Sequence, residues 1–340
     1  MLKMDKLRKK SKLGNKGDLS NFHALELIRH RLSSRQQSIA TAIKERHLYF
    51  RISILGACNL ACPFCHNEGG PHRGKLDIAL VTRAIYAARE LGFRRIQFTG
   101  GEPLMHPKID EFIGAARRII EDVGVTTNGT FLPKKLDGIV SAGLSRIHIS
   151  LQAEALCPAG HASWVVPNWL GRVLDLSRGG TIKVRLNIPV QPAHLKLVKA
   201  FLCELSPFGC DVNLFSILPQ TTSDSEVPST HSLEQLAAEE NVRRSVEGAK
   251  GKILVRGYRH PNGLRCATCD ARSHCKEQSH SLRLGVDRVL HPCLATRKWD
   301  IKVTETGLCD EMERATLLAL DYTWPATAVP YQYKERRFKR

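Results

Sequence analysis

The 340-residue sequence contains no run of 18 or more apolar residues. A helix needs about that length to cross a bilayer core, so no membrane-spanning helix is expected. The opening residues, MLKMDKLRKKSKLGNKG, lack an apolar stretch ahead of a small-residue cleavage site. That argues against a secretory signal and points to the cytoplasm. Internal repeats and low-complexity tracts are missing as well, which leaves an ordinary globular chain. Acidic residues are in short supply: 33 Asp and Glu face 51 Lys and Arg, a formal net charge of +18. Residues 1–17 hold +6 of it and residues 331–340 hold +4, leaving +8 over the 313 residues between. Basic ends of this kind bind nucleic acid or stay solvated. The central excess fits a pocket for an anionic small molecule.

Cysteine, by contrast, is abundant. Eleven thiols in a chain expected in a reducing compartment do not make a disulfide framework. Metal or redox chemistry is the leading explanation for them.

Strand and helix patterns alternate from residue 49 onward. Residues 49–55 (YFRISIL), 95–99, 124–127, 146–151, 182–188 and 212–217 read as strands. Residues 22–32, 77–91, 109–120, 135–142, 164–176 and 195–205 read as helices by their apolar spacing. Such alternation implies a parallel sheet with right-handed crossovers. Six units fit an incomplete barrel better than a closed eight-unit one. The alternation is expected to end near Pro219, followed by a polar segment, a charged helix over about 233–247 and a cysteine-rich stretch over 260–295.

Cys58, Cys62 and Cys65 lie in CNLACPFC, directly after the first strand. Barrel-type sheets carry their chemistry in loops at the strand C-termini. Three thiolates at this spacing can hold a four-iron, four-sulfur cluster and leave one iron without a protein ligand. Zinc, with a fourth ligand such as His66, is the alternative that the spacing leaves open.

The triplet resembles the C-x3-C-x2-C signature of the radical S-adenosylmethionine superfamily, with Phe64 as the aromatic residue before the third cysteine. Gly100, Gly101, Glu102 and Pro103 follow the second strand as that family's GGEP motif does. The resemblance covers about residues 48–295 and makes zinc in the first site improbable. It implies a partial (β/α)6 TIM barrel of α/β class, with a small cysteine-rich C-terminal extension. It also implies a [4Fe-4S] cluster that binds S-adenosylmethionine, with the GGEP segment receiving the methionyl ammonium. The expected chemistry is reductive cleavage to a 5′-deoxyadenosyl radical that abstracts a substrate hydrogen, with flavodoxin or ferredoxin as electron donor. Thr127 in VTTNG and Ser150 in HISLQ match family strand ends that contact adenosine or substrate.

Within the superfamily the chain most resembles the GTP 3′,8-cyclase group. Arg51 stands seven residues before the first cysteine, Arg185 stands about where the cyclases have a lysine for the substrate triphosphate, and Arg283 lies in SLRLGVDRVLHPCLA. These three are expected to line a pocket for an anionic, nucleotide-type substrate. The departures are Gln97 for an arginine of the cyclases, Ser281 for another, Gln152 for an aspartate, and RRFKR in place of a Gly-Gly tail. Losing planar guanidinium forks that pair with phosphate is not conservative. A relative with a different nucleoside, nucleotide or nucleotide-sugar substrate is therefore expected. The alternatives are a true GTP 3′,8-cyclase, a peptide-modifying maturase with an auxiliary cluster, and, from another class, an RNA-binding zinc protein, which GGEP disfavours.

Cys266, Cys269 and Cys275 form C-x2-C-x5-C, and Cys293 comes 18 positions later. This resembles auxiliary-cluster (SPASM/twitch) modules and implies a second, auxiliary [4Fe-4S] cluster. If Cys275 is not a ligand, one iron stays open for substrate. A zinc knuckle is the competing reading. The expected division is therefore a basic extension with a helix (1–45), the barrel (46–225), a linker helix with the auxiliary module (226–300) and a tail that is basic at its end (301–340). Cys157, Cys203, Cys210 and Cys309 have no such spacing and are expected as buried small hydrophobes.

Overall fold

The computed structural model describes residues 34–62, 65, 74–152, 166–190, 195–216, 230–248, 251–256, 281–293 and 297–323. The expected helix over 22–32 and both basic ends lie outside these residues. The described strands are β1 (Tyr49–Leu55), β2 (Arg95–Gly100), β3 (Asp122–Thr127), β4 (Arg146–Ser150), β5 (Lys183–Val190), β6 (Asp211–Ser216), β7 (Ile253–Arg256), β8 (Ser281–Leu284), β9 (Val289–His291) and β10 (Ile301–Lys302). They form one sheet in the order β10-β9-β8-β1-β2-β3-β4-β5-β6-β7. Neighbours from β8 through β1 to β7 pair in parallel, while β9 and β10 add antiparallel. The order has two ends, so the barrel is open.

The helices are α1 (34–45), α2 (Ile78–Glu90), α3 (Ile109–Arg117), α4 (Leu132–Ser141), α5 (Asn168–Arg178), α6 (Leu195–Leu205), α7 (Thr230–Val246) and α8 (Leu308–Thr323). Local chemistry sets their ends. The Asp77 carboxylate accepts the Leu80 amide at 2.7 Å and caps α2. Pro133 sits in the first turn of α4, where its missing N–H costs nothing, so that helix starts earlier than residue 135. Pro167 stands just before α5 and delays it relative to the expected 164–176.

Strand alternation splits the sheet into two unlike faces. Phe50, Ile52 and Ile54 of β1, Ile96 and Phe98 of β2, and Val123 and Val125 of β3 are fully buried on the helix-covered face. Ile147, Ile149, Leu186, Ile188, Val212 and Leu214 continue it on β4 to β6. Fully burying a side chain of this size contributes roughly 1.5–3 kcal/mol. The residues between them, such as Arg51, Gln97, His148, Arg185 and Asn213, are polar and point to the inner face. Parallel strands covered on both faces usually read as unbroken apolar runs. A polar inner face instead marks a lumen.

Three features differ from the sequence expectation. The alternation does not stop near Pro219, because α7 leads into β7, which pairs with β6. β8, from the cysteine-rich stretch, docks in parallel on the far side of β1. Both are four-residue strands whose pairing partners lie far away in sequence, so no local pattern announces them. The segment expected as a tail also forms α8, which packs on α2 and on β8 to β10. An ion pair between Arg35 and Glu313, at 2.7 Å, ties it to α1.

Candidate active site

Loops leaving the C-terminal ends of β1, β2 and β3 form the candidate site, and backbone contacts hold the first two together. The Gly101 amide donates to the Leu55 carbonyl at 2.7 Å, and the Glu102 amide donates to the Ala57 carbonyl at 2.8 Å. Gly100 has φ +148, and a Cβ on it or on Gly101 would collide with the Leu55 or Ala57 carbonyl. Only glycine lets the GGEP segment lie directly on the backbone that leads into the cysteines.

Glu102 is buried and binds β3 to this pair. One carboxylate oxygen accepts from the Leu104 amide (2.9 Å) and the Thr127 hydroxyl (2.7 Å); the other accepts from the Asn128 amide (2.7 Å). Burial raises its pKa above the ordinary carboxylate value, opposed by the bonds from Asn128, Thr127 and Leu104. Glu102 and Thr127 are thus committed to holding the loops and Pro103 is buried in the turn that follows, while Gly100, Gly101 and Ser150 keep partial exposure.

The next segment, Asn128 to Thr130, reaches the cysteine loop itself. The Asn128 side-chain amide donates to Asn59 Oδ1 at 2.9 Å and approaches Cys58 Sγ at 3.9 Å. Asn59 in turn donates to Thr130 Oγ1 at 3.1 Å. Asn59, Asn128 and Thr130 were not singled out from the sequence, although the TNG signal after β3 could have found Asn128.

Cys58 and Cys65 are exposed, Cys62 is half-buried, and none of the three is in a disulfide. Cys58 Sγ also accepts the Leu60 amide at 3.4 Å. Among the described residues no three His, Cys, Asp or Glu side chains converge on a single-ion site. Three thiols on one loop, with close-packed glycine backbone alongside, are a donor set that a cluster held from one side would use. Phe64 lies outside the described residues, as do Cys266, Cys269 and Cys275. Cys293, just after β9, is buried.

The three expected arginines share the lumen face. Arg51 is in register with Arg283 on one side and Gln97 on the other. Arg185 is in register with His148 and Asp211, and its guanidinium meets Asp211 at 3.3 Å. Gln97 does not point into free space. Its carbonyl oxygen accepts from Arg146 Nη2 (2.8 Å) and Nε (3.1 Å), and its amide donates to Thr126 (2.9 Å). Arg146 also pairs with Asp122. This tie crosses β3 at Gly124, where a Cβ would strike Gln97 Oε1 and the Arg146 guanidinium. Burial lowers the Arg146 pKa to about 9, with Arg95 adding to the shift.

The remaining cysteines only partly follow expectation. Cys210 is buried and its thiol is pushed up to about 11 by burial. Cys203 and Cys309 are exposed, which corrects their reading as buried hydrophobes; both lie on helices (α6 and α8), where Cys203 Sγ approaches Glu240 at 4.0 Å. Cys157 lies outside the described residues.

An open parallel barrel with a three-cysteine loop braced by GGEP defines an iron–sulfur enzyme of the radical S-adenosylmethionine type. The family model of the radical SAM superfamily matches residues 52–154. The GTP 3′,8-cyclase of Thermodesulfovibrio yellowstonii is 39% identical over 297 residues, covering 79% of this chain and 89% of the relative. That of Heliobacterium modesticaldum is 35% identical over 321 residues, covering 84% and 91%. The chain belongs to the radical SAM superfamily and, within it, to the family of the GTP 3′,8-cyclases. Among solved structures, Streptococcus suis SuiB bound to S-adenosylmethionine superposes with a TM-score of 0.59 at 16% identity, over 81% of this chain and 68% of that one. That likeness shows the shared fold.

Proposed function

We propose that this enzyme acts on an anionic, nucleotide-type small molecule held in the lumen, and that its substrate differs from GTP. The observation that carries this is the inner face itself. Ser53 Oγ, Arg185 Nε and Asn213 Oδ1 are buried there and find no hydrogen-bond partner among the described residues. Buried polar groups are normally satisfied, so such atoms on a lumen wall read as waiting for a ligand. Guanidiniums on β1, β5 and β8 line the same face and would pair with a negatively charged ligand.

Cys58, Cys62 and Cys65 would hold the first four-iron cluster. With S-adenosylmethionine bound, that cluster would supply the reducing electron for radical hydrogen abstraction from the substrate. The protein's own contribution is positional. The Gly100–Gly101 backbone and the Asn59–Asn128–Thr130 bridge fix the cysteine loop over the strand ends, and Arg51, Arg185 and Arg283 orient the anion. Cys266, Cys269 and Cys275, with Cys293, would hold a second cluster; support comes from Cys293 following β9, whose hairpin partner β8 carries Arg283. A small reduced electron carrier of the cytoplasm, such as flavodoxin or ferredoxin, would serve as donor.

Gln97 supports the altered substrate. It replaces a cation of the cyclases with a neutral side chain, and it turns Arg146 toward the protein. A charged hydrogen bond to phosphate is worth about 1.5–3 kcal/mol, so losing two weakens GTP binding by roughly two to four orders of magnitude. The test is reduced, reconstituted enzyme with S-adenosylmethionine and GTP. Poor binding and no 3′,8-cyclised product are expected; robust formation of that product overturns the altered substrate and leaves a true GTP 3′,8-cyclase.

A further inference from the structure

We infer that His148 is a substrate-recognising residue particular to this lumen, whose imidazole hydrogen-bonds an anionic group of the substrate and takes up a proton from solvent as that group docks. The inference rests on the proposed anionic substrate and names a residue and a proton that the reading does not supply.

The geometry is that of a ring. His148 lies on the inner face of β4, in register with Thr126 of β3 and Arg185 of β5. Its neighbours Ile147 and Ile149 point the other way, into the helix-covered core. Arg146 lies two residues below it on the same face. Arg51 and Arg95 come from β1 and β2, and all four guanidiniums act on the imidazole. Arg283 of β8 stands beside Arg51. The facing carboxylates are Asp122 of β3, paired with Arg95 and Arg146, and Asp211 of β6, paired with Arg185. Tyr49 completes the titratable groups on β1. Among the described residues, five guanidiniums against two carboxylates leave this face cationic while His148 is neutral.

Burial first, and then the four guanidiniums, hold the imidazole well below its ordinary pKa. A neutral imidazole has one donor and one acceptor and is not repelled by its neighbours. A phosphate or carboxylate arriving among those guanidiniums cancels the charge that keeps the proton away. The imidazolium then becomes a second donor aimed at the anion. Proton uptake on binding obliges affinity to fall as pH rises, by up to tenfold per unit between the free and bound pKa values. His148→Asn and His148→Gln keep neutral hydrogen-bonding groups and remove the proton.

Reconstituted holoenzyme is titrated calorimetrically with inorganic pyrophosphate and with AMP, CMP and UMP, each in two buffers of different ionisation enthalpy. For the probes that bind, wild type should take up close to one more proton per ligand than either variant. Affinity should weaken with rising pH in wild type and stay nearly level in the variants. Iron content and circular dichroism check that the variants are folded; should His148→Asn fail to fold, His148→Gln carries the comparison. Binding with identical proton uptake in wild type and variants overturns this inference alone. Failure of all four probes to bind overturns the anionic-substrate reading and this inference with it.

Discussion

The two faces of the sheet are made from alternate residues of the same strands, yet they obey different rules. On the helix side, Phe50, Ile52, Phe98 and Val125 are closed off from water and belong to the hydrophobic core. On the lumen side, Arg51, Gln97, Gly124 and His148 occupy the intervening positions, and their neighbours are polar. Hydrophobic burial tolerates many side chains of about the right size. A buried polar network works only when each member finds its partner, so its residues are tied to one another. The apolar face therefore encodes the fold, and the polar face encodes what the fold is for.

The contrast is sharpest where the polar face meets the loops. Replacing Cys58, Cys62 and Cys65 together with alanine should abolish 5′-deoxyadenosine formation. Iron, expected at about eight per chain as two four-iron clusters, should drop by roughly half while the sheet stays intact. Iron analysis and chromatography of the nucleoside check this; unchanged iron would remove the thiols from their assigned role.

On the opposite face the effect should be on stability alone. Phe98 is fully buried and meets Phe112 edge-on with ring centroids 6.1 Å apart. Phe98→Ala should cost about 3–5 kcal/mol, read as a lower denaturation midpoint, with the folded fraction keeping its iron.

Gly124→Ala tests the polar face from within. Its added Cβ meets Gln97 and Arg146, so the tie must shift, at a cost of about 1–3 kcal/mol. Gly124→Ala combined with Gln97→Ala should cost less than the two changes summed, because one clash partner is gone. A strictly additive pair would deny the tie.

The smallest effect is a slope. Glu102 has a raised folded-state pKa. Its protonation then favours the folded state, with the full contribution present below the unfolded carboxylate value and lost as pH rises through the folded one. Glutamine does not titrate. The stability advantage of wild type over Glu102→Gln should therefore be widest in acid and narrow toward neutrality, as thermal melts across pH 4–7 would show. A gap that widens instead would reverse the assigned sign.

Much of this was written locally. The alternation in YFRISIL places Phe50, Ile52 and Ile54 against helices and Arg51 and Ser53 in the lumen, because side chains on a strand alternate faces whatever the partner strand. The three cysteines and the GGEP segment were also legible, since each must occur at fixed spacing to do its chemistry. So were most helices, with ends displaced by Pro133 and Pro167.

What the chain could not announce by itself was which strands become neighbours. β8 joins β1 across more than two hundred residues, and only that pairing sets Arg283 beside Arg51. The Asn59–Asn128 bridge, the Gln97–Arg146 tie over Gly124 and the guanidinium ring about His148 likewise depend on register between separate strands. Local sequence determined which residues face the lumen, through the two-residue period of the strand. Tertiary structure decided which of them meet, because hydrogen bonds and electrostatic fields act through space between residues that the chain keeps far apart.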